Sequence, residues 1–455
     1  NPLDPETYEL QFDLYLDAME ATPYGKYLHV GGDEVKTTGR KSGKSALELN
    51  LIWLNKVSAF AEKHNRIPVF WDDMLLKQGE VYYPIYDLNI SEQKVDSIWE
   101  VNEPKLNKFI KQFPENCIYM RWNYHATESY GNARAMDWFT NNGLKVMGAT
   151  AGQTRWTLMP QRESNIDQIR IFADQSIKRN FNGLLLTLWD DDSPHFELYK
   201  RGISAFAEYT WGGIQRTKSE FKSVFRHRTF GSKFQSEEYA FIDSLDSPVK
   251  EWTNILLKKD FEKMMITITD SLEVSNSEVI HRNSLIHRKN TLTNYVIDFP
   301  DFNNKGSWNK KYSSRLKKIS KQIKSLNKIN SILNKIKEKD PENKFLIEIY
   351  EQVSALAGYS FYAMEVLSRF DNAKNEKEET LYLKEIYDLS KKFKNLREKF
   401  ESVYSKTRVL NKPESYILDQ DHHYHPANQT KNFDWQFMAE LIFLEKIEKY
   451  YKKDL

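Results

Sequence analysis

The hydrophobic positions of this chain change period at about residue 215. Before that point, short apolar runs alternate with longer amphipathic ones. Tyr27–Val30, Ile67–Trp71, Ile118–Trp122, Lys145–Gly148 and Leu184–Trp189 read as strands. The segment from Glu6 to Glu20 carries Leu10, Phe12, Leu14, Leu16 and Met19, a helix ahead of the first strand. Ala46–His64 and Asn165–Arg179 are amphipathic stretches between strands. Strand–helix alternation of this kind predicts parallel β/α architecture. After Trp211-Gly212-Gly213 the chain turns rich in Lys, Glu, Asn and Ser and poor in glycine. There Ile319, Ile323, Leu326, Ile329, Leu333 and Ile336 recur at steps of three and four, and Glu342–Phe370 and Glu378–Tyr404 repeat the pattern. Pro341 and the stretch 371–375 interrupt these segments. The expectation is an α/β domain over 1–215 and an all-α domain over 216–455. The short connections favour antiparallel helices packed within one chain over coiled-coil dimerisation.

At 455 residues the chain has room for two or three domains. It carries 66 basic and 64 acidic residues, so its overall charge asks for neither nucleic acid nor an anionic membrane as partner. No run of about 18 apolar residues stands in it. The single cysteine, Cys117, lies in a strand-like run and reads as a small buried hydrophobe. Aromatic residues make up 14% of the chain, which suits either a large core or a sugar site, because ring faces pack on pyranose faces. No phosphate loop, Cys/His zinc spacing or Ser-His-Asp elbow is present. Asp421-His422-His423-Tyr424-His425 has the look of a metal tract but no second ligand cluster, and reads as a surface loop.

The chemistry concentrates at His29-Val30-Gly31-Gly32-Asp33-Glu34. An apolar run ends, two glycines allow close backbone approach, and two carboxylates follow. A bare Asp-Glu pair at a strand end reads equally as the cap of a solvated turn. The full string resembles the signature of the family 20 glycoside hydrolases, the β-N-acetylhexosaminidases. Three further segments are similar to later strand ends of that family: Val69-Phe70-Trp71-Asp72-Asp73, Arg121-Trp122-Asn123-Tyr124 and Leu188-Trp189-Asp190-Asp191-Asp192. The resemblance covers about residues 1 to 215.

The resemblance implies a (β/α)8 TIM-type barrel. In that family the His-to-Glu string closes the fourth strand, so the chain is expected to begin after the third. It implies an exo-acting enzyme that removes terminal β-linked GlcNAc or GalNAc from glycans, by the substrate-assisted retaining route that sets such enzymes apart from two-carboxylate glycosidases. Glu34 would be the general acid/base and Asp33 would orient the substrate's acetamido group. Tyr124 would hold the acetamido carbonyl oxygen, or belong simply to the core. Trp71, Trp122, Trp156 and Trp189 would build the apolar slot for the N-acetyl methyl group, each with core packing as the other reading. Asp191, where the family more often has Glu, would accept sugar hydroxyls. Asp72 or Asp73 would do the same or cap the next helix, with Asp72 taken as the site residue. His29 would brace Asp33 or the glycine turn. Repulsion between adjacent carboxylates would raise one pKa, which suits Glu34 as proton donor. No cofactor and no metal is implied, and the partner is a glycan with a terminal N-acetylhexosamine. An exported bacterial protein, periplasmic, cell-surface or secreted, fits this activity. The departures around Trp189 leave a second possibility, a non-catalytic carbohydrate-binding barrel with a helical interaction module.

Overall fold

The computed structural model describes residues 1–35, 38–153, 158–189, 195–258, 296–408 and 438–451. The chain divides into two compact units. The first comprises residues 1–154, 164–188 and 201–218, and the second comprises 155–163, 189–200 and 219–455. The second unit therefore takes in two short stretches from the strand-rich half as well as the helical half.

The first unit is built on five parallel strands, β1 (Tyr27–Gly31), β2 (Ile67–Trp71), β3 (Ile118–Trp122), β4 (Lys145–Ala151) and β5 (Gly183–Thr187). They lie in the order β1-β2-β3-β4-β5 and curl as half a barrel, all parallel. Helix α1 (Pro5–Ala21) precedes β1, and α2 (Ala46–Lys63) links β1 to β2. Helices α3 (Asp73–Gln78) and α4 (Glu92–Asn107) lie between β2 and β3; α5 (Tyr130–Asn141), α6 (Ser164–Lys178) and α7 (Lys200–Trp211) follow β3, β4 and β5. An eight-stranded closure is not seen among the described residues.

Local sequence accounts for these boundaries. Asp4 caps α1 through the Glu6 amide, with Pro5 in the first turn, where its missing N–H costs nothing. Ser45 and Glu48 form a reciprocal capping box at the start of α2. Asn65, in the left-handed region at φ 56°, ends α2 and turns the chain into β2.

Alternation along the strands sorts their side chains into two layers. One set, including Leu28, Val30, Phe70, Tyr119 and Val146, packs against Leu51, Leu54, Val57, Trp99 and Trp138 of the helices. The other set, Val69, Ile118, Met120 and Ala149, forms the inner-face cluster, onto which Trp71, Trp122 and Met147 pack. Strand β1 carries one irregularity: His29 pairs with Val69, but the next pair is Gly31 with Phe70, so Val30 is an extra residue.

The second unit is helical. It contains most of α8 (Lys218–Phe230), then α9 (Asp246–Trp252), α10 (Ser307–Lys311), α11 (Ser313–Glu338), α12 (Lys344–Asp371), α13 (Glu376–Tyr404) and α14 (Met438–Tyr451). Helix α12 packs against both α11 and α13, and it buries residues around most of its circumference, from Leu346 and Ile349 to Val353, Phe361 and Leu367. Its neighbours bury one stripe each, Ile319, Leu326, Ile329, Leu333 and Ile336 on α11 and Ile386, Leu389, Phe393 and Phe400 on α13. The links of a few residues between α11, α12 and α13 make these neighbours antiparallel. No helix among the described residues is long and apolar enough to cross a membrane.

Candidate active site

In β/α folds, ligands meet the C-terminal ends of the strands, where side chains from successive loops converge. The end of β1 supplies the carboxylate pair. Gly31 and Gly32 take φ of 76° and 97°, a region that other residues rarely enter. A Cβ on Gly32 would lie 2.1 Å from Cε2 of Phe70, so only glycine lets the backbone pass this close to β2. Glu34 itself sits at φ 49°. A strained non-glycine residue persists only when its surroundings hold it. Here the hold is visible: the Glu34 amide donates to Asp73 Oδ2 at 3.2 Å, and the same oxygen takes Lys77 Nζ at 2.9 Å. The Asp73 side chain is wholly enclosed. Asp33 and Glu34 both present exposed side chains. The carboxyl of Asp33 is nevertheless held above its ordinary range, first by partial burial and then by the charge of Asp73, with its own backbone hydrogen bond and Lys77 pulling the other way. The charge that raises it is that of Asp73, across the gap to β2.

His29 lies one face-turn below. Its Nδ1 accepts the Gly31 N–H at 3.1 Å, so it is the glycine turn that the imidazole braces. Burial pushes its pKa down to about 4, which keeps the ring neutral and that nitrogen an acceptor. Its ring centroid is 4.8 Å from that of Trp71, the last residue of β2. Trp71 and Trp122 share the inner-face cluster, and Tyr124 packs on Trp122 at 5.0 Å. Asn123, fully enclosed, fixes the loop that carries Tyr124: its Oδ1 accepts the amides of His125 and Ala126, and its Nδ2 donates to the Ala126 carbonyl. The structure therefore brings His29, Asp33, Glu34, Trp71, Trp122 and Tyr124 to neighbouring strand ends.

Asp72 does not join them. It was expected to meet sugar hydroxyls, but its side chain has no exposed surface and both its oxygens accept from Arg121 Nη1, at 2.9 and 2.7 Å. A carboxylate at the first position of a helix turns about 100° from its neighbour. That turn sends Asp72 into the protein and Asp73 to the Glu34 amide. Burial pushes the Asp72 carboxyl up to about 7 against the pull of Arg121. Arg121 also donates through Nη2 to the Trp122 carbonyl, which accepts Tyr86 Oη at 3.4 Å as well. This buried network sets the end of β3. Arg121 carried a sequence signal of its own, a charge inside an apolar strand, which needs a buried partner.

The remaining expected residues fall elsewhere. Trp189 belongs to the second unit, is 39% exposed, and its carbonyl accepts Tyr199 Oη at 2.8 Å. Trp156 and Asp191, like the 421–425 tract, lie outside the described residues. Among the described residues no group of three or more His, Cys, Asp or Glu side chains is arranged to hold a metal ion.

Beside the strand ends is an open cleft of about 840 Å³ whose lining includes Lys77, Tyr82, Tyr83, Tyr86, Asp87 and Leu88. Tyr82 and Tyr86 approach the Trp122 ring at 6.4 and 5.9 Å, and Lys77 Nζ stands 4.6 Å over the Tyr82 ring. Lys77 is thus shared between the Asp73 contact and this aromatic cleft. These tyrosines have no periodic signature in the sequence.

Compared with known proteins, the chain matches no family model and no curated protein.

Proposed function

We propose that this protein is an exo-β-N-acetylhexosaminidase that releases terminal non-reducing β-linked GlcNAc or GalNAc by substrate-assisted retaining hydrolysis. The observation that carries the reading is the Asp33-Glu34 pair. Both side chains reach solvent at the C-terminal edge of a curled parallel sheet, on a backbone fixed by the glycine turn and by Asp73. In this reading the five strands are the latter part of a (β/α)8 barrel.

The chemistry assigned to each residue follows from what the reaction needs. The acetamido oxygen of the substrate attacks C1 as Glu34 protonates the departing glycosidic oxygen. Asp33, ionised, accepts the acetamido N–H and balances the positive charge that develops on the ring it forms. Tyr124 donates its hydroxyl to the acetamido oxygen. Trp71 and Trp122 flank the methyl group, and neutral His29 keeps the glycine turn in place. Water, deprotonated by Glu34, then attacks C1 from the face the leaving group vacated, the bond from C1 to the acetamido oxygen breaks, and configuration is retained. The tyrosine-lined cleft beside Trp122 gives the remainder of the glycan aromatic faces on which to lie.

The test is hydrolysis of aryl β-GlcNAc, β-GalNAc and β-glucoside by the wild type and by Glu34→Gln. The expected result is turnover of the acetamido sugars alone, reduced about 10²–10⁴-fold in the variant, the range for loss of a general acid/base. Turnover of the glucoside would refute substrate assistance. Binding of the acetamido sugars without turnover would replace catalysis by carbohydrate binding.

A further inference from the structure

Helix α11 is out of balance with the rest of the chain. Its 26 residues hold eight basic side chains and a single acid, Glu338, in a protein whose charges otherwise nearly cancel. Two of the eight are accounted for by ion pairs, Lys318 with Glu251 and Lys337 with Glu351. Five others, Lys317, Lys321, Lys324, Lys328 and Lys335, are spaced by 4, 3, 4 and 7 residues. At 100° per residue these steps keep all five within an arc of about 60°, on the side of the helix away from the stripe that packs on α12. All five are exposed, and among the described residues no carboxylate lies within ion-pair distance of any of them. The exposed positions flanking the row are Ser320, Asn327, Ser331 and Asn334, which contribute hydrogen-bonding groups, and Glu338 at its C-terminal end, the one negative charge on that flank. The result is a straight rail of ammonium groups about 27 Å long, with steps of about 4.5–6 Å over its first four members.

Like charges at i,i+3 and i,i+4 oppose the helix that bears them. A solvated helix face ordinarily mixes both signs, and this one does not. A row of one sign and regular spacing is complementary to a linear polyanion. The row contains no arginine fork and no aromatic ring, the groups that grip phosphates in bidentate fashion and stack on bases. It offers only compact point charges and small polar side chains, which suit carboxylates or sulfates repeated along a sugar chain.

We infer that the α11 lysine rail binds a linear acidic polysaccharide, one whose sugars bear carboxylate or sulfate groups at regular intervals. The rail stands on its own geometry. That its ligand is a glycan rests on the hexosaminidase reading, which makes an N-acetylhexosamine-containing acidic polymer the substrate class.

The experiment measures binding of three probes to the full chain across a salt series: a hyaluronan oligosaccharide, a neutral chitin oligosaccharide and a DNA duplex. It is repeated with the variant K317Q/K321Q/K324Q/K328Q/K335Q. Glutamine matches lysine in helix propensity and the positions are exposed, so the fold is retained; a Lys→Arg variant at the same five positions keeps the charge as a control. The expected result is hyaluronan binding that weakens with salt. The glutamine variant should lose about tenfold or more of that affinity and have a flatter salt dependence, from exposed contacts worth a few tenths of a kcal/mol each. Binding of the chitin oligosaccharide and hydrolysis of an aryl N-acetylhexosaminide should be unchanged. Hyaluronan binding that is absent, or equal in wild type and glutamine variant, would overturn the inference, and so would tighter binding of DNA than of hyaluronan at matched salt. Failure of the hexosaminidase reading appears separately: no hydrolysis of the aryl glycoside, whatever the rail binds.

Discussion

Replacing Arg121 by methionine isolates what the buried Asp72–Arg121 pair contributes. Both side chains are without exposed surface, and one guanidinium nitrogen spans both carboxylate oxygens. Asp72 in the folded protein has its pKa raised from 3.8 to about 7. A raised pKa means that folding takes up a proton, so the group's contribution to stability is complete below pH 3.8 and is lost as pH rises through about 7. Above pH 7 the wild-type curve is level as far as this group is concerned. Arg121 is the influence that pulls the value down, after burial has pushed it up. Without the guanidinium the carboxyl stays protonated to higher pH, and the decline continues above pH 7 at about 1.4 kcal/mol per pH unit for as long as it does. Arg121→Met should therefore show a deficit relative to wild type that is constant below pH 7, reflecting lost packing and the lost bond to the Trp122 carbonyl. Above pH 7 that deficit should grow, by about 1.4 kcal/mol for each pH unit over which the variant's carboxyl remains protonated. Urea unfolding followed by tryptophan fluorescence at pH 6, 7, 8 and 9 measures it. Adding Asp72→Asn to the variant should abolish the growth and leave the constant part. A deficit that does not change from pH 6 to 9 would refute the assignment of the burden to Asp72.

Two neighbours of Asp33 give predictions of opposite sign for the acidic limb of kcat/KM against pH. Asp73 raises the Asp33 pKa and Lys77 lowers it. Asp73→Asn, which keeps an acceptor for the Glu34 amide, should shift the limb to lower pH, and Lys77→Met should shift it to higher pH. Shifts in the same direction would show that the limb belongs to another group. The two glycines of the turn separate backbone strain from collision. Gly31→Ala meets no atom within 4 Å and should cost about 1–2 kcal/mol for its φ alone, whereas Gly32→Ala adds the clash with Phe70 and should cost about 3 kcal/mol or more in the same urea assay. Equal losses would mean that Phe70 yields freely.

Periodicity made the large features legible. Short apolar runs marked the five strands because the sheet buries residues on both faces, and the three- and four-residue steps marked α11, α12 and α13 because each buries at least one stripe. The carboxylate pair stood out through the whole string from His29 to Glu34, and its two glycines do take the left-handed backbone that such a turn requires. Asp72 and Asp73 could not be told apart in the same way: they stand where a strand gives way to a helix, and neither the two-residue nor the 3.6-residue period governs that step. The tyrosine cleft was hidden because its residues lie in a short 3₁₀ turn and loop, positioned by Trp122 and Lys77 rather than by any repeat.

The extra residue in β1 has a consequence for how this site can change over time. Were Val30 paired in ordinary register instead of bulged, Gly31 would stand opposite Trp71 rather than Phe70, one position further along β2. The bulge therefore sets where along β2 the chain leaves β1 for Asp33 and Glu34. Loss of the Val30 codon would join His29 directly to Gly31, keep Gly31 opposite Phe70 and remove the local kink on which the glycine turn is mounted. For a lineage, the spacing from His29 to Glu34 is inherited as a block, and selection on the acids extends to a valine whose side chain lies in the helix-facing core.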